Sequence, residues 1–214
     1  IKALTLMLAL AGAIPAAMAQ DAKAGEKKAA MCIGCHGIAG YQASFPEVHK
    51  VPMIAGQGAK YIASALAAYK KGERKHPTMR GIAASLSDQD VADLAAYYEQ
   101  LGRSSVVTVA DTPAVAPSGE VAALLTKGAC ASCHGANFNK PIDGAYPKLA
   151  GQHADYLYVA LKAYQAEANP YVGRSNALMA GQAKQFKHGE LKAIAQYIAS
   201  LPGELKTVPQ SKFR

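Results

Sequence analysis

Tryptophan is absent from the 214 residues and phenylalanine occurs only four times, so aromatic side chains make up 7% of the chain. A core built mainly on packed aromatic rings is thereby excluded. A domain of roughly 90 residues buries only a modest core from its own side chains, which leaves room for some other apolar mass in each half. No stretch of alternating polar and apolar residues is long enough to build a sheet. Acidic residues are scarce as well, 15 against 23 Lys and Arg, for a formal net charge of +8. The basic residues are scattered rather than clustered, and no zinc-finger spacing or RNA-binding signature accompanies them. Nucleic acid is therefore a poor candidate partner.

Cysteine is the most informative scarcity. The four present all fall in two copies of one pattern, Cys32-Ile33-Gly34-Cys35-His36 and Cys130-Ala131-Ser132-Cys133-His134. Cys-x-x-Cys-His reads as covalent attachment of c-type haem. Each cysteine can form a thioether to a porphyrin vinyl group, and the adjacent histidine can reach the iron from one face. Zinc is a poorer reading, because a histidine fused to the second cysteine is awkward geometry for one tetrahedral ion. A thioredoxin-like dithiol is poorer still, because no βαβ pattern surrounds either motif. The expected cofactors are two covalently bound haem c groups. Each supplies the flat apolar centre that the weak aromatic content leaves room for.

The first segment, Ile1 to Gln20, carries Lys2, an apolar run and then Ala17-Met18-Ala19, the small-x-small pattern of a secretory cleavage site. Export fits c-type haem and predicts a periplasmic protein. Residues 1–19 are read as a signal peptide or a retained N-terminal anchor. As an anchor the apolar stretch is at the short end for a span, and Pro15 interrupts it. It would allow membrane association through this segment. The positive surface suits docking to an acidic redox partner or an anionic membrane; solubility alone is the plainer use.

The second half repeats the first. Val51-Pro52-Met53-Ile54-Ala55-Gly56-Gln57 matches Tyr146-Pro147-Lys148-Leu149-Ala150-Gly151-Gln152, Tyr61 matches Tyr156, Met79 matches Met179, and Leu101 and Leu201 close the copies. The landmarks keep offsets of 95 to 100 residues. Residues 20–103 are read as a first domain and 119–214 as a second with a basic tail. Residues 104–118, rich in β-branched and turn residues, are read as an extended linker. Helices are expected from Asp21 to Met31 and from Gly119 to Ala129, each running into a haem motif. Middle helices are expected over about Ala59 to Lys71 and Ala154 to Ala166. The last helix of the first half begins after Ser87-Asp88-Gln89-Asp90, a capping-box variant. Its apolar face is Val91, Leu94, Ala95, Tyr98 and Leu101; in the second half the face is Leu191, Ile194, Ala195, Ile198 and Leu201. The predicted fold class is all-α.

Iron held by one histidine leaves a sixth position, and a methionine thioether there raises the potential. Met7 and Met18 sit in the leader, Met31 abuts Cys32, and Lys148 stands where Met53 would have its counterpart. Met179 is the one methionine beyond His134, and its repeat partner Met79 follows His36 at nearly the same interval. His36, Met79, His134 and Met179 are thus the expected axial ligands. His49, His76, His153 and His188 are expected at the surface or beside the ligands.

The paired motifs, the Pro-x-Ile/Leu-Ala-Gly-Gln segments from Pro52 to Gln57 and Pro147 to Gln152, and the late methionines resemble the cytochrome c4 family of dihaem class I cytochromes. The resemblance covers about residues 21–203. It implies two tandem cytochrome c folds related by a pseudo-twofold axis, and carbonyls of Pro52 and Pro147 that accept the Nδ1 protons of His36 and His134. It implies a periplasmic electron carrier and no enzymatic activity of its own. The donor would be a quinol-oxidising complex or a dehydrogenase, and the acceptor a terminal oxidase or reductase. The alternatives are a dihaem cytochrome subunit of an oxidoreductase complex, such as a flavocytochrome sulfide dehydrogenase or an alcohol dehydrogenase, and a dihaem peroxidase, against which two methionine ligands argue. The tail from Pro202 to Arg214 lies beyond the resemblance.

Overall fold

The computed structural model describes residues 19–101, 103, 109–166 and 169–210. The expected leader, apart from Ala19, and residues 104–108 of the expected linker lie outside the described residues.

The first half is helical. Asp21 caps α1 (Ala22–Lys28) by accepting from the backbone nitrogens of Lys23 and Ala24 at 2.8 and 3.2 Å. The single helix expected up to the motif is in fact two. At Ala29 the backbone N–H turns back to the Glu26 carbonyl, a tightened i to i−3 turn. The chain then re-enters helix as α2 (Ala30–His36), which redirects the motif away from the axis of α1. A two-strand ladder, β1 (Gln42–Ala43) with β2 (His49–Lys50), folds the next loop. Then come α3 (Ala59–Lys71), β3 (Arg74–Lys75), the short α4 (Pro77–Ala84) and α5 (Asp88–Gln100). Ser87 and Asp90 close a full capping box on α5: Ser87 Oγ accepts from Asp90 N at 3.1 Å, and Asp90 Oδ2 accepts from Ser87 N at 3.0 Å.

The second half repeats this course as α6 (Gly119–Lys127), α7 (Cys130–His134), α8 (Ala154–Gln165), β4 (Gly173–Arg174), α9 (Ala177–Ala183) and α10 (His188–Ser200). Here too the expected helix up to the motif is broken. Ala129 takes a left-handed φ of 45° between α6 and α7. Residues 109–118 form no helix or strand and lie along the second half, where Val115 O accepts from the Tyr197 hydroxyl at 2.9 Å.

Each half has its own core. Ile33, Ile62, Leu86, Leu94, Ala95, Tyr97 and Tyr98 pack in the first, and Leu124, Phe138, Leu157, Phe186, Leu191, Ile194 and Ile198 in the second. In the first, α1 crosses α5 at close range through Gly25. A Cβ there would sit 2.1 Å from the Asp93 carbonyl oxygen and 2.7 Å from Tyr97 Cβ.

The halves are joined by reciprocal contacts. β3 pairs antiparallel with β4, Arg74 opposite Arg174 and Lys75 opposite Gly173. Gln57 bonds the backbone of residue 148, and Gln152 bonds the backbone of residue 53. That exchange of equivalent bonds is the signature of a pseudo-twofold axis. Residues 202–210 belong to this junction. Lys206 N donates to Ala55 O at 3.0 Å in an antiparallel bridge, Leu205 is buried, and Glu204 pairs with Lys148. The tail, whose role the sequence leaves open, thus straps the second half back onto the first.

Candidate haem site

In the first half, α2 turns both thiols and the imidazole of its motif to one side. Cys32, Cys35 and His36 line a cavity of about 310 Å³, together with Pro52, Ile54, Leu66, Ile82, Leu94 and Tyr98. Met79, on the first turn of α4, lines the same cavity. The cavity reaches the junction, where Tyr156, Leu157, Ala160 and Arg174 of the second half complete its wall. Its size falls within the range of small-ligand and cofactor sites.

The electrostatics favour neutral groups. Burial pushes the Cys32 thiol up, against a hydrogen bond with Tyr98 that lowers it. Burial likewise pushes Cys130 up. A reactive dithiol needs the opposite shift. Burial pushes the His36 imidazole down, partly offset by the Pro52 carbonyl. His36 Nδ1 lies 2.8 Å from Pro52 O. A carbonyl can only accept, so Nδ1 carries the proton and Nε2 keeps a free lone pair. His134 repeats the arrangement at 3.1 Å from Pro147 O, with burial again pushing the ring down. Two thiols, a neutral imidazole with a fixed tautomer and a thioether around an apolar slot are a donor set that fits haem c.

The methionines sit at equivalent helix starts. Met79 N donates to His76 Nδ1 at 3.4 Å, and Met179 N donates to Asn176 Oδ1 at 3.0 Å. These short helices are absent from the sequence reading. The signal for the first was available in Pro77, at a helix first turn behind a capping residue. Cys130, Cys133, His134 and Met179 do not line the cavity of the first half. In the second half His134 is buried, Cys130 packs on the core, and Met179 is half-buried on α9.

His49, expected at the surface or beside the ligands, is 4% exposed, lines the cavity and donates from Nδ1 to Glu47 O at 2.8 Å. His76 also lines the cavity, and burial pushes it down. His188 is exposed, as expected. The sequence reading also missed a cationic pair. Arg74 donates to the Tyr61 hydroxyl and Arg174 to the Tyr156 hydroxyl, each at 3.1 Å. Each guanidinium also lies 5.3 to 5.6 Å from the centroids of two tyrosine rings, Tyr61 and Tyr69 or Tyr156 and Tyr164. Burial pushes the Tyr61 hydroxyl up to about 12, so it stays protonated.

The cytochrome c family model matches residues 22–102 and again 119–202. Cytochrome c4 of Azotobacter vinelandii is 36% identical over 92% of this chain and 97% of its own length. The chain belongs to the cytochrome c4 family. The reduced recombinant cytochrome c4 of Pseudomonas stutzeri superposes with a TM-score of 0.61 at 30% identity, over 86% of this chain and all of that one. A protein named thiosulfate dehydrogenase electron acceptor, from Thiomonas intermedia, is 32% identical over 94% of this chain and 91% of its own length. As a cytochrome c4, the chain comprises two cytochrome c domains, carries two covalently bound haem c groups and transfers electrons.

Proposed function

We propose that this cytochrome c4 is a periplasmic electron carrier, with residues 20–103 and 119–214 as its two haem domains and 104–118 as the linker. The observation that carries the reading is the convergence of Cys32, Cys35, His36 and Met79 on one apolar cavity, within a chain that repeats all four residues. Haem, when bound, supplies a one-electron centre that cycles between ferrous and ferric iron. Cys32 and Cys35 would hold one porphyrin through thioethers, and Cys130 and Cys133 the other. His36 and Met79 would hold the iron of the first, and His134 and Met179 that of the second. With His36, Met79, His134 and Met179 holding the irons, the chain would act as a carrier rather than an enzyme, as its cytochrome c4 relatives support. Pro52 and Pro147 orient the imidazoles. Arg74 and Arg174 would face the haem carboxylates, which supply the negative charge that two adjacent guanidiniums call for.

The donor we favour is a periplasmic dehydrogenase, supported by likeness to the thiosulfate dehydrogenase electron acceptor; a quinol-oxidising complex is the other source. The acceptor would be a terminal oxidase or reductase. Among the described residues no helix is long and apolar enough to cross a membrane; residues 1–19 would serve as a signal peptide or a retained anchor.

The ligand set has a direct test. Oxidised protein should show the weak near-infrared charge-transfer band of methionine bound to iron. Met79→Ala and Met179→Ala should each remove about half of it. A band that neither variant diminishes refutes the ligands. A redox titration followed by capture of donor complexes from membranes tests the carrier role; turnover of peroxide by a five-coordinate haem would overturn it.

A further inference from the structure

The two domains exchange a pair of buried glutamines. Gln57 and Gln152 are each 4% exposed. Gln57 Oε1 accepts from Lys148 N at 2.9 Å, and Gln57 Nε2 donates to Lys148 O at 3.0 Å. Gln152 Oε1 accepts from Met53 N at 3.0 Å, and Gln152 Nε2 donates to Met53 O at 2.9 Å. Each amide oxygen also accepts from the next backbone nitrogen of its own chain segment, Gly58 N or His153 N at 3.0 Å, which fixes the rotamer.

The partner atoms are not arbitrary. Lys148 N belongs to the same peptide unit as Pro147 O, the acceptor for His134 Nδ1. Met53 N belongs to the same peptide unit as Pro52 O, the acceptor for His36 Nδ1. A peptide is planar, so a bond that holds its N–H also holds its C=O. A hydrogen bond to the N–H also polarises the carbonyl and makes it a stronger acceptor. A stronger acceptor draws more on the Nδ1 proton and makes the imidazole more basic toward a metal.

We propose that Gln57 and Gln152 are positioning residues that act across the domain junction, each fixing the peptide that holds the other domain's proximal histidine and so setting the electron affinity of the other domain's haem. The proposal rests on the reading of His36 and His134 as axial ligands. The relay runs Gln57 to the Pro147–Lys148 peptide to His134, and Gln152 to the Pro52–Met53 peptide to His36. Its crossed wiring separates it from a local packing role: Gln57 is built into the first domain, but its effect falls on the second.

The test is the potential of each haem separately in Gln57→Met holoprotein, with the two haems assigned by NMR of their methyl resonances. Removing the acceptor weakens the pull on the His134 Nδ1 proton. The haem at Cys130 and Cys133 should move to higher potential, and its axial histidine Nδ1–H resonance should move upfield in the reduced state. The haem at Cys32 and Cys35 should stay in place. Gln152→Met should give the mirror result. A shift confined to the variant's own domain, an equal shift of both haems, or no shift overturns the proposal. Should both variants fail to fold, amide exchange in the unmodified protein decides. Lys148 N–H and Met53 N–H should exchange together and slowly, and rapid exchange of either overturns the relay. A spectrum that remains histidine-ligated and low-spin in His36→Ala and His134→Ala holoprotein would sink the ligand reading instead, which keeps the two failures distinct.

Discussion

Arg74 and Arg174 stand opposite each other as partners in the antiparallel pair that β3 and β4 form between the domains. Each guanidinium is held by a tyrosine hydroxyl and flanked by two tyrosine rings. Two like charges side by side and half-buried are costly unless an anion faces them. The pair therefore sets positive charge at the joint between the domains, on the wall of the cavity.

Arg74 lines the cavity of the first half, and a positive charge held there would disfavour the oxidised, more positive state of the haem it binds. Arg74→Gln should lower the midpoint potential of the first haem by an amount on the order of 1 kcal/mol per electron. Arg80 is exposed, and water and salt screen its charge. Arg80→Gln should move the potential much less. A redox titration of both variants checks this, and equal shifts would remove the special role of Arg74.

Gly25→Ala should destabilise the first domain. The added Cβ would meet the Asp93 carbonyl carbon and oxygen of α5, which are backbone atoms and cannot swing aside. Overpacking of this kind costs typically about 1–3 kcal/mol, against a gain of about 1 kcal/mol from replacing a helical glycine. In the second domain Ala123 of α6 is exposed, so Ala123→Gly should instead cost only the helix-propensity difference, about 1 kcal/mol. Urea unfolding of each variant compares the two effects, and an unchanged midpoint in Gly25→Ala would show that the helices can part.

The long periodic helices were legible in the sequence because their cues are local. α3 spans Ala59–Lys71 as expected, and Ser87 with Asp90 marks the start of α5. The break at Ala29 was not legible, because alanine is a good helix former and nothing nearby announces a turn; at Ala129 the cue was Gly128, which caps α6. α4 and α9, at eight and seven residues, are too short to display a period. The haem motifs and methionines could be read from spacing and repetition, whereas the Arg74–Arg174 pair could not. Its meaning depends on a strand pairing between residues 100 apart, and a two-residue strand leaves no pattern. Gln57 and Gln152 were visible as repeated residues, but their partners lie across the junction, where only the folded chain brings them.

Acid should loosen the first domain through Asp93. Its carboxylate accepts from Lys28 Nζ at 2.7 Å, Gln89 Nε2 at 2.7 Å and Asp21 N at 3.0 Å. Lys28, then Asp21, hold it below the ordinary aspartate value of 3.8. A carboxyl depressed in the folded state stabilises above its unfolded pKa, and that contribution is lost as pH falls through the folded value. Stability of the first domain should therefore be level near neutrality and decline below about pH 4. Asp93→Asn should lower stability at pH 7 and flatten the acid decline. A variant that keeps the native slope would assign the acid sensitivity elsewhere.

Truncation after Gly203 tests the strap. It removes Leu205, which is 5% exposed, and the Lys206 to Ala55 backbone bond. It also removes Glu204, the partner of Lys148. Burying a leucine is worth about 1.5–3 kcal/mol and a backbone hydrogen bond about 1 kcal/mol, so the loss should be about 2–4 kcal/mol. Gly56 would be left free of the Glu204 carbonyl that now faces it at 2.6 Å from a Cβ position. Gly56→Ala should therefore be disruptive chiefly in the full chain, with only the cost of its φ of 83° remaining after truncation. Because the strap joins the two domains and lies in neither core, its loss should divide one unfolding transition into two, one for each haem. A single, unshifted transition in the truncated protein would show that the β3–β4 pair and the two glutamines alone hold the domains together.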